Sequence, residues 1–114
     1  MAYDEELADR IRLLAAADGT ALAEKRMFGG LAFLVGGHLA IAASGQGGVL
    51  VRVDPAESEE LVRTTAAEVA VMRGRAMPGW LRVASTDLEE DDQLAPWVRR
   101  GVGYAASLPP KYNG

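Results

Sequence analysis

The most regular part of the chain, residues 26–53, consists of three apolar runs separated by glycine-rich breaks. Gly36-Gly37 separates the first two runs, and a two-residue Gly-Gly link between apolar runs is typical of a β-hairpin because both turn positions take positive φ. A longer break from Ser44 to Gly48 precedes the third run. The pattern therefore predicts a three-stranded antiparallel meander, with Gly29-Gly30 marking a bend or bulge in the first strand.

Alternate residues of the three strands define two faces. The bulkier face is predicted to line the core and comprises Leu31, Phe33, Val35, Leu39, Ile41, Ala43, Val49, Val51 and Val53. The second face comprises Ala32, Leu34, Ala40, Ala42, Leu50 and Arg52, with Trp80, Arg82 and Ala84 added by a later strand. A sheet face in contact with water normally carries polar residues, so this second face is unusually apolar.

The second face predicts an interaction surface, because soluble monomers rarely expose a large apolar patch. A second copy of the chain would cover it in a two-fold homodimer, and a different protein partner is the other expected cover. The residues predicted to form this surface are Leu34, Leu50, Arg52, Trp80 and Arg82.

Segments whose apolar residues recur at helical spacing lie on both sides of the meander in the chain. We predict helices over residues 3–17, 57–65 and about 92–108, the last one with Asp92 as its N-cap and Pro96 in its first turn. Residues 68–72 and 80–85 are predicted strands, separated by a type II turn at Met77-Pro78-Gly79. The predicted fold is a two-layer α+β domain of order α-β-β-β-α-β-β-α, with a mainly antiparallel sheet and helices on one face.

Composition narrows the protein class. The chain has 114 residues, 49% of them hydrophobic, which fits one globular domain over 1–110 with a short tail at 111–114. It contains no cysteine, so disulfides and thiolate metal sites are excluded. The amino terminus is acidic and no apolar run approaches the roughly 20 residues of a membrane span, so we expect a soluble, cytoplasmic protein. A net charge of −4 opposes general nucleic-acid binding.

No group of residues has the spacing of a known catalytic, cofactor or metal site, so we expect neither an enzyme nor a bound cofactor or metal. His38 is the only histidine, and a solvated turn residue is favoured over a catalytic base because no cysteine or serine elbow accompanies it. The glycine pairs match neither dinucleotide nor P-loop spacing. Arg73 and Arg75 are candidates for anion binding, although two solvated loop arginines are the favoured interpretation.

Two segments together carry a family resemblance. RMFGG at residues 26–30 precedes an apolar strand and glycine hairpin, RGRAMPGW covers residues 73–80, and the last helix ends in SLPPK. This combination resembles the TfoX/Sxy amino-terminal-domain family from the first helix to Pro110. The resemblance implies the fold order given above, similar to secretion-chaperone-like folds, with no catalytic residues. The motif positions it singles out as structural or binding residues are Arg26, Met27, Phe28, Gly29, Gly30, Gly79 and Trp80.

The resemblance also implies a bacterial regulator of natural competence, in which a second, carboxyl-terminal domain follows this one. The 114 residues hold no counterpart of that second domain. A regulatory or adaptor domain that acts by protein contact is the favoured function. The alternatives are a nucleic-acid-binding module, which the strand arginines and Trp80 favour and the acidic balance opposes, and a small-ligand-binding protein or enzyme of unrecognised type.

Overall fold

The computed structural model describes residues 3–27 and 29–111; Phe28 and residues 112–114 of the predicted tail lie outside these described residues. Within them helices and strands follow one another along nearly the whole chain. Their bounds are α1 (Glu5–Ala17), β1 (Ala23–Met27), β2 (Gly30–Val35), β3 (His38–Ala43), β4 (Val49–Arg52), α2 (Pro55–Thr64), β5 (Glu68–Met72), β6 (Arg75–Val83) and α3 (Asp91–Ser107).

The strands form one six-stranded antiparallel sheet in the order β1-β2-β3-β4-β6-β5. The α+β fold class and the predicted order of helices and strands are confirmed. The structure adds one strand at the sheet edge, because the segment before Gly29 is a separate strand, β1. Met27 pairs with Gly30, and Gly29 lies in the connecting turn with a φ of +75°. The predicted bend in one strand is therefore a reversal of the chain.

The two hairpin predictions have different outcomes. Gly36 and Gly37 form the turn between β2 and β3, as predicted, with φ values of +60° and +84°. The predicted turn at Met77-Pro78-Gly79 is wrong. Arg73 and Gly74 make the turn between β5 and β6, both with positive φ, and β6 runs through Pro78.

Pro78 fits inside β6 because the strand bulges there. Val69 pairs with Leu81 while Val71 pairs with Ala76, so four residues of β6, 77–80, lie opposite the single residue Ala70 of β5. Gly79, with a φ of +88°, lies within the extra length. A bulge interrupts the regular ladder, which is where a strand tolerates a residue without an N–H.

All three helices pack on one face of the sheet, as predicted. α3 begins at Asp91 with Glu90 as its N-cap, in a capping box with Gln93, so the assignment of the cap to Asp92 is wrong. Pro96 lies in the second turn of the helix rather than the first. The buried core between the layers includes Leu7, Ile11, Leu31, Phe33, Ile41, Val49, Val51, Val53, Leu61, Leu81, Val83, Leu94, Trp97 and Val98.

One residue predicted for the core face lies on the other side of the sheet. Phe33 pairs with Ile41 and Leu34 pairs with Leu39, so Ala40 is an extra residue in β3. A one-residue insertion reverses the alternation of side chains beyond it. Leu39 therefore packs in the second apolar cluster rather than in the core between the layers.

An ion pair ties α1 to the edge strand β1. Arg12 donates from Nε to Glu24 Oε2 at 2.7 Å and from Nη2 to Glu24 Oε1 at 2.8 Å, and it also pairs with Asp9. The hydrogen bonds from Arg12 hold the pKa of Glu24 below its usual value. The ion pair therefore links α1 to β1, one of the two edge strands of the sheet.

Candidate interaction surface on the helix-free face

The sheet face opposite the helices carries its own apolar cluster, here called the helix-free face. Its five buried residues, the floor, are Ala32, Leu39, Ala42, Leu50 and Ala70. Four larger and half-buried residues, the rim, pack around the floor: Met27, Leu34, Met72 and Trp80. No residue of the described helices belongs to this cluster. The accessible apolar surface on this side of the sheet therefore comes mainly from the rim.

The floor follows from the register of the central strands. Ala32 of β2 pairs with Ala42 of β3, which pairs with Leu50 of β4, which pairs with Arg82 of β6. Paired residues in an antiparallel sheet place their side chains on the same face. Because two of the four are alanines, the larger rim side chains bury them. Arg82 is the only charged residue of the four, and the row continues at the two sheet edges to Lys25, which pairs with Ala32, and to Glu68, which pairs with Arg82.

Arg52 lies at the end of β4 between two aromatic rings. Its guanidinium carbon is 5.0 Å from the centroid of the Trp80 ring and 5.6 Å from that of Tyr104 in α3. Trp80 is its direct partner in the β4–β6 ladder. A guanidinium over an aromatic face is attracted by the ring quadrupole.

Arg82 has a polar contact of a different kind. Its Nη1 donates to Ser44 Oγ at 3.2 Å, and the same hydroxyl accepts from the backbone N–H of Gln46 at 3.1 Å. Glu68 is the direct ladder partner of Arg82, yet the two side chains form no ion pair. Of the residues predicted for the interaction surface, Leu50 thus lies in the floor and Leu34 and Trp80 lie in the rim. Arg82 and Arg52 are the ladder partners of Leu50 and Trp80, and the Arg52 guanidinium also reaches Tyr104 of α3.

Sequence reasoning missed five contributors to this region, one of which, Met27, was assigned only to the family motif. The bulge moves Leu39 onto it, and β5 adds Ala70 and Met72, which alternate on one side of that strand. Tyr104 was missed because it lies outside the apolar stripe of α3, although its position three residues after Gly101 places it on the sheet side of the helix. Ala84 was predicted here but is exposed and outside the cluster.

The family-motif positions do not converge on one site. Arg26 is an exposed residue of β1, and Gly29 and Gly30 lie at the β1–β2 turn. Gly79 is buried in the β6 bulge, where a Cβ would lie 3.0 Å from the carbonyl oxygen of Val53. Met27 and Trp80 are the two motif side chains that reach the rim. Phe28 lies outside the described residues.

The remaining candidates lie elsewhere. Arg73 and Arg75 are exposed at the tip of the β5–β6 hairpin, where their proposed anion binding stays a prediction. The interpretation of His38 as a solvated residue is wrong: it is 9% exposed, and its Nε2 donates to the carbonyl oxygen of Pro109 at 2.6 Å. His38 therefore holds the segment that follows α3.

The described part of the chain offers neither a metal-binding cluster nor a membrane-spanning helix. It contains no group of three or more histidine, cysteine or acidic residues placed to hold a metal ion. None of its helices is long and apolar enough to cross a membrane.

Comparison with known proteins supports the family resemblance. A family model described as the TfoX N-terminal domain matches residues 13–105. The match begins inside α1, ends inside α3 and covers all the strands described above. A search of curated proteins found no significant match.

Proposed function

Because the chain belongs to the TfoX N-terminal domain family, we propose that it is a regulatory domain that acts by contact with another protein through the helix-free face. The family is associated with competence regulation and is not known for enzymatic activity. The regulatory class follows from the family, whereas protein contact is the part that the experiment below tests.

The observation that supports this proposal is the half-buried rim around a small apolar floor. Met27 and Met72, from the two edge strands, flank the floor together with Leu34 and Trp80. Methionine side chains are flexible and polarizable, and tryptophan is enriched at the centres of protein interfaces. A partner that covers the rim removes its remaining accessible apolar surface from water, and this burial favours binding.

The partner is either a different protein or a second copy of the chain. Light scattering on the purified protein at micromolar concentration separates these two cases. A dimer that becomes monomeric in Leu34→Glu assigns the face to self-association. A monomeric wild type directs the proposal to a different protein.

The test for a different protein is affinity capture from an extract of the source cells, with Leu34→Glu and Met27→Glu compared with wild type. Leu13→Glu is the matched control, because Leu13 is 70% exposed on α1, away from the helix-free face. We expect both rim variants to lose the captured protein while the control retains it, at unchanged melting temperature. Equal capture by all four proteins would refute the proposal.

A further inference from the structure

The guanidinium of Arg52 lies near two aromatic rings but has no anionic partner among residues 3–27 and 29–111. Trp80 and Tyr104 hold it at 5.0 Å and 5.6 Å, as described above. Among the described residues, no carboxylate forms an ion pair with it. The five N–H donors of a guanidinium lie in its plane and match a carboxylate. A carboxylate from outside the domain could therefore supply the ion pair that the described residues do not give Arg52.

Three other arginines have a carboxylate partner, whereas Arg100 resembles Arg52: it is half-buried over the Trp97 ring at 4.5 Å and has no ion pair among the described residues, but it lies on α3. Arg10, Arg12 and Arg63 each pair with a carboxylate of the chain. Arg99 is exposed, so water solvates it without a partner. Arg52 is half-buried, which removes part of its hydration and makes a charged partner more favourable. Although acidic residues outnumber basic ones 16 to 12, none of the described ones neutralises Arg52.

The spacing between Arg52 and Arg82 indicates how far apart two carboxylates of one ligand would need to be. Arg52 pairs with Trp80 and Leu50 pairs with Arg82, so the two arginines lie one strand and two residues apart. Regular sheet spacings put their α-carbons roughly 8 Å apart. In an extended peptide, residues i and i+2 lie on one side at roughly 7 Å. Two carboxylates in that arrangement match the two arginines.

We propose that the helix-free face binds an extended acidic segment of a partner protein, in which two Asp or Glu residues at i and i+2 contact Arg52 and Arg82. An apolar residue of the same segment, two positions further along, packs against the rim. This inference rests on the proposed function and adds the chemical class of the partner. Tyr104 acts as a positioning residue that orients Arg52 from outside the surface.

The test is selection of binders from a displayed library of random twelve-residue peptides on the immobilised domain. We expect enrichment of sequences with two acidic residues at i and i+2 followed by an apolar residue. The best peptide is then synthesised with its two acids intact and with both replaced by their amides. The amide form should bind at least roughly tenfold more weakly in fluorescence anisotropy.

Variants of the domain assign the contact to Arg52. Arg52→Gln and Arg52→Lys should each weaken binding of the acidic peptide by roughly tenfold, since lysine keeps the charge but not the planar fork. Tyr104→Leu should weaken it by roughly threefold through loss of orientation. Arg99→Gln, an exposed arginine on α3, is the matched control and should leave binding unchanged.

Several outcomes overturn the inference. These are the absence of enriched peptides, enrichment without acidic residues, equal binding of the amide peptide, and equal binding by Arg52→Gln. A single-stranded oligonucleotide that binds through Arg52 more tightly than the acidic peptide would assign the face to nucleic acid. Loss of cellular capture in Leu34→Glu with normal capture in Arg52→Gln would leave the proposed protein contact standing and reject only the acidic class.

Discussion

Gly101 of α3 lies against the backbone of Ala40 in β3, so that a Cβ added at Gly101 would be 2.2 Å from the Ala40 carbonyl oxygen. The helix can approach the sheet this closely only because residue 101 has no side chain. We expect Gly101→Ala to destabilise the domain by about 1–3 kcal/mol, since forced overlap with backbone outweighs the better helix propensity of alanine.

Gly103 provides the matched control for this prediction. A Cβ at that position would meet no atom within 4 Å apart from its chain neighbours and the adjacent backbone of α3, and the residue is exposed in the same helix. Gly103→Ala should therefore stabilise the domain by up to about 1 kcal/mol. Chemical denaturation measures both values. Equal effects of the two substitutions would contradict the close contact.

The core between helices and sheet depends on Phe33 and Ile41, which pair across β2 and β3 and are fully buried. Phe33→Ala and Ile41→Ala should each cost about 2–5 kcal/mol in unfolding free energy, because each leaves a cavity. Leu13→Ala, at a 70% exposed position, should change stability by less than about 0.5 kcal/mol. Losses under about 1 kcal/mol at both core positions would show that the face assignment is wrong.

The ion pair between Arg12 and Glu24 predicts a small loss of stability in acid. Hydrogen bonding lowers the pKa of Glu24 in the folded state. A lowered folded-state pKa stabilises the fold above the usual pKa of the group, and this contribution disappears as pH falls through the folded value. The Glu24 side chain is 37% exposed, so we expect less than about 1 kcal/mol.

Thermal unfolding of wild type and Glu24→Gln between pH 6 and pH 2.5 measures this contribution. The variant should be less stable than wild type at pH 6, and the difference should narrow toward pH 2.5. Glu60→Gln is the control. Glu60 pairs with Arg63 one turn further along α2, and both side chains are exposed. If the difference in stability between wild type and Glu24→Gln stayed constant with pH, the ionised Glu24 carboxylate would not be its source.

His38 predicts a local effect on the segment after α3. Its Nε2 donates to Pro109, and the N–H of Lys111 donates to the carbonyl oxygen of Gly36 at 2.8 Å. His38→Ala should speed hydrogen exchange of the Lys111 amide by roughly five- to tenfold, in line with the loss of one hydrogen bond. His38→Gln, which keeps a side-chain donor, should retain part of the protection. Unchanged exchange in both variants would mean that the histidine does not hold this segment.

Much of the fold was predictable because it depends on local signals. The positive φ of Gly36 and Gly37 requires glycine, and these residues form the predicted hairpin. The close contact at Gly101 fits its position in the apolar stripe of α3. By contrast, Pro78-Gly79 predicts a turn because both residues are common in turns, whereas in the structure they lie in a bulge of β6. The same dipeptide suits both, so local preference does not distinguish them.

The sequence by itself determined the family, the α+β fold class and the apolar character of the second sheet face, because glycine positions and side-chain alternation act over a few residues. Only the tertiary structure decided which side chains meet there. The bulge at Ala40 moves Leu39 to the other face, and α3 brings Tyr104 beside Arg52 across more than fifty residues of chain. Such contacts depend on register and helix placement, which result from packing of the whole domain.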